Sequence, residues 1–200
     1  YRTELQTQSS TVLMIDMSLS MIYSSAAQAS KKVAVALEAL IRGQFPRDNL
    51  HVVGFSRTAR EFKRDELVEI SEMDHAQGTN MVHGLMLARH LLSRHKGGNK
   101  QIIMVTDGGP TMLWEKESQE WLFTWPYTQP AELQTLLEVQ RCTRENIVIN
   151  TFMLVRDPAL VEFVTQMSEI NRGRAFFTAP EDLGRYLLVA YLANKQAFRQ

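Results

Sequence analysis

The chain has 200 residues, 44% of them hydrophobic, enough for one sizeable core, and with no visible linker it reads as a single α/β domain over 1–200. Its 22 basic and 22 acidic side chains cancel, so no net field draws it to nucleic acid or to anionic lipid. No apolar run approaches the roughly 20 residues of a membrane span, no charged-then-apolar leader is visible, and the lone Cys142 has no partner for an internal disulfide. A cytoplasmic setting is the expectation, and a chain that begins at Tyr1 instead of Met is taken as part of a longer protein.

In chain order, YRTELQTQ alternates weakly and predicts a solvent-facing edge strand or a lead-in. TVLMIDMSLSM, residues 11–21, follows. Val12, Leu13, Met14 and Ile15 make the continuous apolar run of a strand covered on both faces, and the polar residues Asp16, Ser18 and Ser20 begin just past its carboxyl end. SSAAQASKKVAVALEALIRG places Ala29, Val33, Ala36, Leu37, Leu40 and Ile41 at helical spacing and ends at Gly43. LHVVGFS predicts a second strand, and RTAREF a short reversed one.

EISEMDHAQGTN is turn-rich and opens onto MVHGLMLARHLLSRH, a helix marked by Met81, Leu85, Ala88, Leu91 and Leu92, which puts Thr79 at a loop-to-helix junction. After GGNKQ, the run IIMVTDGG predicts a parallel strand that ends in Asp107 and two glycines. Residues 112–129 then gather Trp114, Trp121, Phe123, Trp125 and Tyr127, including all three tryptophans. A helix introduced by Pro130, the strand IVINTFMLV and a helix with Asp157 as N-cap, Pro158 at its first position and Gly173 beyond its end come next. RAFFT predicts a last short strand, and Thr178 with Glu181 has capping-box spacing for the final helix.

Three loops carry the chemistry: Asp16 with Ser18 and Ser20, Thr79 after Gly78, and Asp107 before a glycine pair. If the first strand and IIMVT are neighbours at a topological switch point, their carboxyl ends bring Asp16 and Asp107 to one crevice. Two carboxylates there repel, and a divalent cation relieves the repulsion. Carboxylate, hydroxyl and water oxygens are hard ligands, which favours Mg²⁺ or Mn²⁺ over zinc. Neutral hydroxyls cancel less of the ion's charge than further carboxylates would, leaving affinity for one more anionic oxygen from a partner's Asp or Glu.

With DMSLS, GTN and TDG in this order, the chain resembles the von Willebrand factor type A domain with its metal-ion-dependent adhesion site, over nearly its whole length. The resemblance implies that Ser18, Ser20 and Thr79 ligate the ion directly or nearly so, with Asp16 and Asp107 acting largely through water and hydrogen bonds. It also implies a doubly wound, mostly parallel central sheet with one short antiparallel edge strand and helices on both faces. DMSLSM, QFPRD, GTNM and TDGGP look most similar to bacterial members that accompany MoxR-type AAA+ ATPases or metal chelatases, so an assembly of that kind is the expected partner. Gly109 stands where many such members carry an acidic residue.

DxSxS alone is also common as a helix cap and turn; Thr79 and Asp107 in the right places tip it toward a metal site. Asp74 and His75 are expected as loop residues, His83 as an ordinary helix residue and Cys142 as a packed thiol. Trp114, Trp121 and Trp125 belong either to a satellite core or to a partner-contact element beside the ion. The leading function is a protein-interaction module and not an enzyme. The alternative, a Mg²⁺-dependent phosphoryl-transfer enzyme using Asp16, expects a second Asp two residues on, where Ser18 stands, and neither GxxxxGK[ST] nor GxGxxG is present.

Overall fold

The computed structural model describes residues 8–197; the edge strand or lead-in expected over residues 1–8 falls almost wholly outside them. The apolar runs form six strands of one sheet, in the order β3-β2-β1-β4-β7-β8. These are β1 (Ser9–Asp16), β2 (Asn49–Phe55), β3 (Ala59–Phe62), β4 (Asn99–Thr106), β7 (Ile147–Met153) and β8 (Ala175–Phe177). All neighbours pair in parallel except β2 with β3, the reversed edge strand expected from RTAREF. The remaining strands, β5 (Met112–Glu115) and β6 (Glu120–Phe123), form a separate antiparallel hairpin from the tryptophan-rich segment.

β1 is buried at every position because helices cover both faces. Val12 and Met14 point into a core shared with α3 (Met81–Ser93), α4 (Gln129–Arg144) and α5 (Pro158–Asn171). Leu13 and Ile15 point into the opposite core, against α2 (Ala26–Gln44) and α6 (Leu183–Ala197). This period of two explains why an unbroken apolar run is needed in a central strand. Helix α3 lies so close to the sheet that a Cβ at Gly84 would sit 2.6 Å from the Met14 methyl and 3.3 Å from the Phe55 ring.

The helix expected over SSAAQASKKVAVALEALIRG forms as α2, but a short helix α1 (Leu19–Tyr23) that was not expected precedes it, and Ser25 takes a left-handed φ of 59° before α2 begins. That break turns α2 onto the sheet, a tertiary requirement that periodicity does not register. Nor does the expected capping box of Thr178 and Glu181 form. Pro180–Asp182 makes a 3₁₀ turn ahead of α6, and the Thr178 hydroxyl donates to the Ala179 carbonyl. A single 3₁₀ turn moves the helix start downstream of the spacing on which the box depends.

Helix α5 matches its punctuation. Asp157 Oδ1 accepts from the backbone N–H of Ala159 at 2.9 Å and of Leu160 at 3.3 Å, with Pro158 at the first helical position. Asp157→Ala is expected to remove about 1 kcal/mol, a fall of roughly 2–4 °C in a thermal melt of a chain this size; an unchanged melting temperature would show that the cap carries no weight.

Candidate functional site

The strand order places the switch point between β1 and β4, since the chain runs from β1 to β2 on one side and returns to β4 on the other. β1 and β4 are in register through Ile15 and Val105, so Asp16 and Thr106 come next to each other at the carboxyl end. Thr106 donates its hydroxyl to Asp16 Oδ2 at 2.5 Å, and the Ser18 N–H donates to Asp16 Oδ1 at 2.8 Å. Asp16 has no solvent exposure. Its two oxygens are aimed by one hydrogen bond each, one from across the sheet and one from its own loop.

From there the polar chain continues. The Ser18 and Ser20 hydroxyls are 3.0 Å apart, Ser20 donates to Asp107 Oδ1 at 2.8 Å, and Ser24 reaches Asp107 Oδ2 at 3.4 Å. Ser18 occupies the N-cap position of α1 but makes no side-chain capping bond. Its hydroxyl is spent on Ser20, so the simple helix-cap reading of DMSLS does not hold for this residue.

Thr79 enters from a third loop. Gly78, at φ +106°, turns the chain into α3, a conformation that suits glycine. The Thr79 N–H donates to the Thr111 hydroxyl at 2.8 Å and its carbonyl accepts from the Thr111 N–H at 3.2 Å. The backbone is thus clamped, while the Thr79 hydroxyl makes no hydrogen bond to a described residue. Asn80 caps α3 by accepting from the His83 N–H at 3.0 Å and ties the loop to Arg57 through its amide. The same loop is held to the first one by a bridge between Ala76 and Ser18. Hydrogen bonds therefore connect Ser18, Ser20 and Asp107 side chain to side chain, Asp16 joins through the Ser18 N–H, and Thr79 joins through backbone links.

The electrostatics of the two acids are unfavourable as they stand. Burial above all, and then the Asp107 charge, push the Asp16 carboxyl up from 3.8 to about 7, against the lowering effect of Thr106 and Ser18. Asp107 is also raised, by burial, with Ser20 and Ser24 acting in the other direction. The neighbouring side chains are hydroxyls, with no thiolate or imidazole among the hydrogen-bonded partners. A set of hard oxygens with uncancelled negative charge has the chemistry to hold a divalent cation.

Thr106, Thr111 and Ser24 were not among the expected residues. A signal for Thr106 exists in TDG, because a hydroxyl ending a buried strand beside an acid needs a partner; Thr111 and Ser24 are legible only in three dimensions. Asp74 and His75 belong to their own turn, Asp74 pairing with Arg60 at 3.1 Å and His75 with the Ser71 carbonyl at 3.2 Å. His83 does more than sit on its helix: burial lowers its basicity, its Nδ1 accepts from the Ala59 N–H at 3.1 Å, and its ring stacks on Trp121 at 5.9 Å. Trp121 in turn meets Trp114 edge-on at 5.1 Å. Those two rings fasten the β5–β6 hairpin beside α3, whereas Trp125 is 78% exposed. Gly109 is boxed in: a Cβ there would lie 2.8 Å from the Tyr127 ring and 3.0 Å from Leu160, so an acidic side chain has no room without displacing them. Cys142 is buried and its thiol is pushed up to about 12 by burial, as expected of a packed, unreactive cysteine.

The fold and this rim define a von Willebrand factor type A domain. Residues 9–192 match the family model for the Rv0959-like protein, vWA domain, and the chain belongs to that family. Over 193 residues it is 31% identical to the uncharacterized protein Rv0959 of Mycobacterium tuberculosis, covering 95% of this chain but 29% of that protein. The chain thus spans under a third of the length of this relative. Among solved structures, the pilus adhesin SpaC of Lactobacillus rhamnosus GG superposes with a TM-score of 0.75 at 17% identity, over 96% of this chain and 31% of that one. The vWF domain of the type V pili tip protein Mfa5 of Porphyromonas gingivalis gives 0.70 at 13% identity, over 97% and 96%. These structural likenesses speak to the fold. Domains of this family are typically protein-interaction modules. No described helix is long and apolar enough to cross a membrane.

Folding depresses no proton from Asp16; it retains one. Below about pH 4 both folded and unfolded forms are protonated, between about 4 and 7 the unfolded form ionises first, and above 7 the full cost of a buried carboxylate is present. The metal-free domain is therefore expected to lose stability as pH rises through that window. Asp16→Asn, which keeps an acceptor for Ser18 and offers Thr106 a donor, is expected to melt several degrees higher at pH 8 in EDTA and to flatten the pH profile. A variant no more stable than the parent would contradict the assigned strain.

Proposed function

We propose that Asp16, Ser18, Ser20, Thr79 and Asp107 form a metal-ion-dependent adhesion site that holds Mg²⁺ or Mn²⁺ and through it captures an acidic residue of a protein partner. The observation that carries this reading is the continuous hydrogen-bonded set from Thr106 through Asp16 and Ser18 to Ser20 and Asp107, which holds two raised carboxylates together. A divalent cation would supply the positive charge these acids lack and a coordination position for an incoming oxygen. The chain's own residues would do the rest: Thr106 and the Ser18 N–H orient Asp16, Thr111 clamps the Thr79 backbone, and the unbonded Thr79 hydroxyl is free to turn toward a ligand. The resemblance of DMSLSM, QFPRD, GTNM and TDGGP to bacterial members that accompany MoxR-type AAA+ ATPases or metal chelatases favours a partner of that assembly class, in the cytoplasm.

Exposed apolar side chains flank the rim. Tyr23 on α1 is 87% exposed, and Leu122, Phe123 and Trp125 project from the hairpin segment. Large exposed aromatic groups are the usual anchors of a contact surface, so Trp125 is assigned to the partner contact, with Trp114 and Trp121 as its support. Phosphoryl transfer from Asp16 is the weaker alternative, because the residue two positions on is Ser18, already bonded to Ser20, and supplies no acid or base.

Calorimetric titration of Mg²⁺ or Mn²⁺ is expected to give saturable binding that Asp16→Ala and Thr79→Ala each weaken by at least about tenfold, the loss of a first- or near-ligand being worth roughly 10–100-fold. No binding to the parent chain, or equal binding by all three, would refute the site. The same samples are expected to leave a generic phosphate ester unhydrolysed; Asp16-dependent turnover would favour the enzyme instead.

A further inference from the structure

A second feature opens on the same rim. Helices α4 and α5 lead into the parallel strands β7 and β8, so both N-terminal halves lie at the carboxyl ends of the strands. Between them runs a groove of about 600 Å³. Its floor and lip are apolar, from Pro130, Leu133, Leu136 and Phe163, with Leu133 57% exposed. Glu132 and Glu162 line it from opposite helices.

These carboxylates are uncompensated. Among the described residues neither forms a salt bridge; Arg156, ahead of Glu162, lies over the Phe177 ring, and Arg141, the next cation along α4 from Glu132, pairs with Glu138. Burial first and then the charge of Glu162 raise the Glu132 carboxyl, although it sits in the first turn of α4 where the helix dipole favours its ionisation. Burial first, and then the charges of Glu132, Asp157 and Glu162, raise the Tyr127 hydroxyl as well. Asp157 is used as the cap of α5, whereas Glu132 and Glu162 line the groove. Tyr127 packs on Gly109, two residues from Asp107, and Gly109 also approaches Leu160 of α5.

We propose that the α4–α5 groove is a docking site for an amphipathic, cationic segment of a protein partner, which sets a Lys or Arg between Glu132 and Glu162 and an apolar side chain on Leu133, Leu136 and Phe163. Charge complementarity selects this occupant. A cation relieves the repulsion between the two glutamates, and an apolar side chain beside it gains burial on Leu133, Leu136 and Phe163. An acidic segment would add to the repulsion, and a wholly apolar one would desolvate Glu132 without pairing it. The site does not depend on a bound metal, and its ligand has the opposite charge to the one proposed for Asp16 and Thr79.

The test is a titration of the isotope-labelled chain, followed by amide NMR, with three designed peptides of equal length that alternate Leu with Lys, with Gln or with Glu, each in Mg²⁺ and in EDTA. The Leu–Lys peptide is expected to shift amides over 129–136 and 159–166, lining the groove, with equal affinity in both buffers. Glu132→Gln with Glu162→Gln is expected to weaken it by about tenfold or more, the loss of a paired charge being worth at least that factor, while the thermal melt stays level or rises. Binding of the Leu–Gln peptide as tight as Leu–Lys, an unaffected double variant, shifts outside the groove, self-association through this face, or no binding would each overturn the proposal. Failure of the metal site would appear separately, as absent Mg²⁺ binding with the peptide results unchanged.

Discussion

The hydrogen bond from Thr106 to Asp16 joins the two central strands at the one place where the winding of the sheet reverses. Ser18, Ser20 and Asp107 are linked to it through successive hydrogen bonds. Asp16 has no solvent exposure, so its charge is tolerable only where donors are fixed around it. Thr106 is one such donor and the Ser18 N–H is the other. The loop after β1 is thereby set, and with it the positions of Ser18 and Ser20 and their link to Asp107. The site is assembled from the ends of β1 and β4, the first turn of α1 and the loop that leads into α3.

Those positions are fixed by the two cores. The alternating side chains of β1 feed one core under α3, α4 and α5 and another under α2 and α6, so the strand cannot slip without exposing an apolar face on both sides. The close seat of α3, permitted by Gly84 against Met14 and Phe55, fixes the helix whose first turn follows Thr79. A further brace is the buried Glu138 of α4, paired with Arg89 of α3 at 2.8 Å and with Arg141 at 2.6 Å. Breaking such a buried pair leaves a charge without compensation, which locks α3 and α4 in their relative positions.

The rim then presents two unlike features side by side. One is the pair of raised acids with hydroxyls, suited to a cation; the other is the groove of Glu132 and Glu162 over an apolar floor. Gly109, two residues past Asp107, packs against Tyr127 and against Leu160 of α5, and the hairpin is fastened beside α3 by Trp121 on His83. A partner that meets both would have to carry an acidic and a basic residue at a set separation. Arrangements of opposite charge over a single face discriminate among partners more sharply than either charge alone, because a wrong partner meets like charge somewhere.

Much of this was written in the residues. The apolar runs of β1, β4 and β7, the reversed strand at RTAREF, the helical spacing of α3 and the capping of α5 by Asp157 are local or short-period signals, and local physics decides them. So is the pairing of acids with hydroxyls in DMSLS, GTN and TDG, which named the candidate residues. Other features depend on groups far apart in the chain and could not be read that way. The break between α1 and α2, the 3₁₀ turn that displaces the Thr178 cap, the clamp of Thr111 on Thr79, the use of His83 to anchor the hairpin and the lack of room at Gly109 all arise when separate elements pack together. The residues supply the available groups, an unbroken apolar strand ending in a carboxylate and a set of hydroxyls. That Asp16 lies beside Thr106 and that Ser20 reaches Asp107 follows from folding, because strand order and register are properties of the sheet as a whole and no short stretch of chain encodes them.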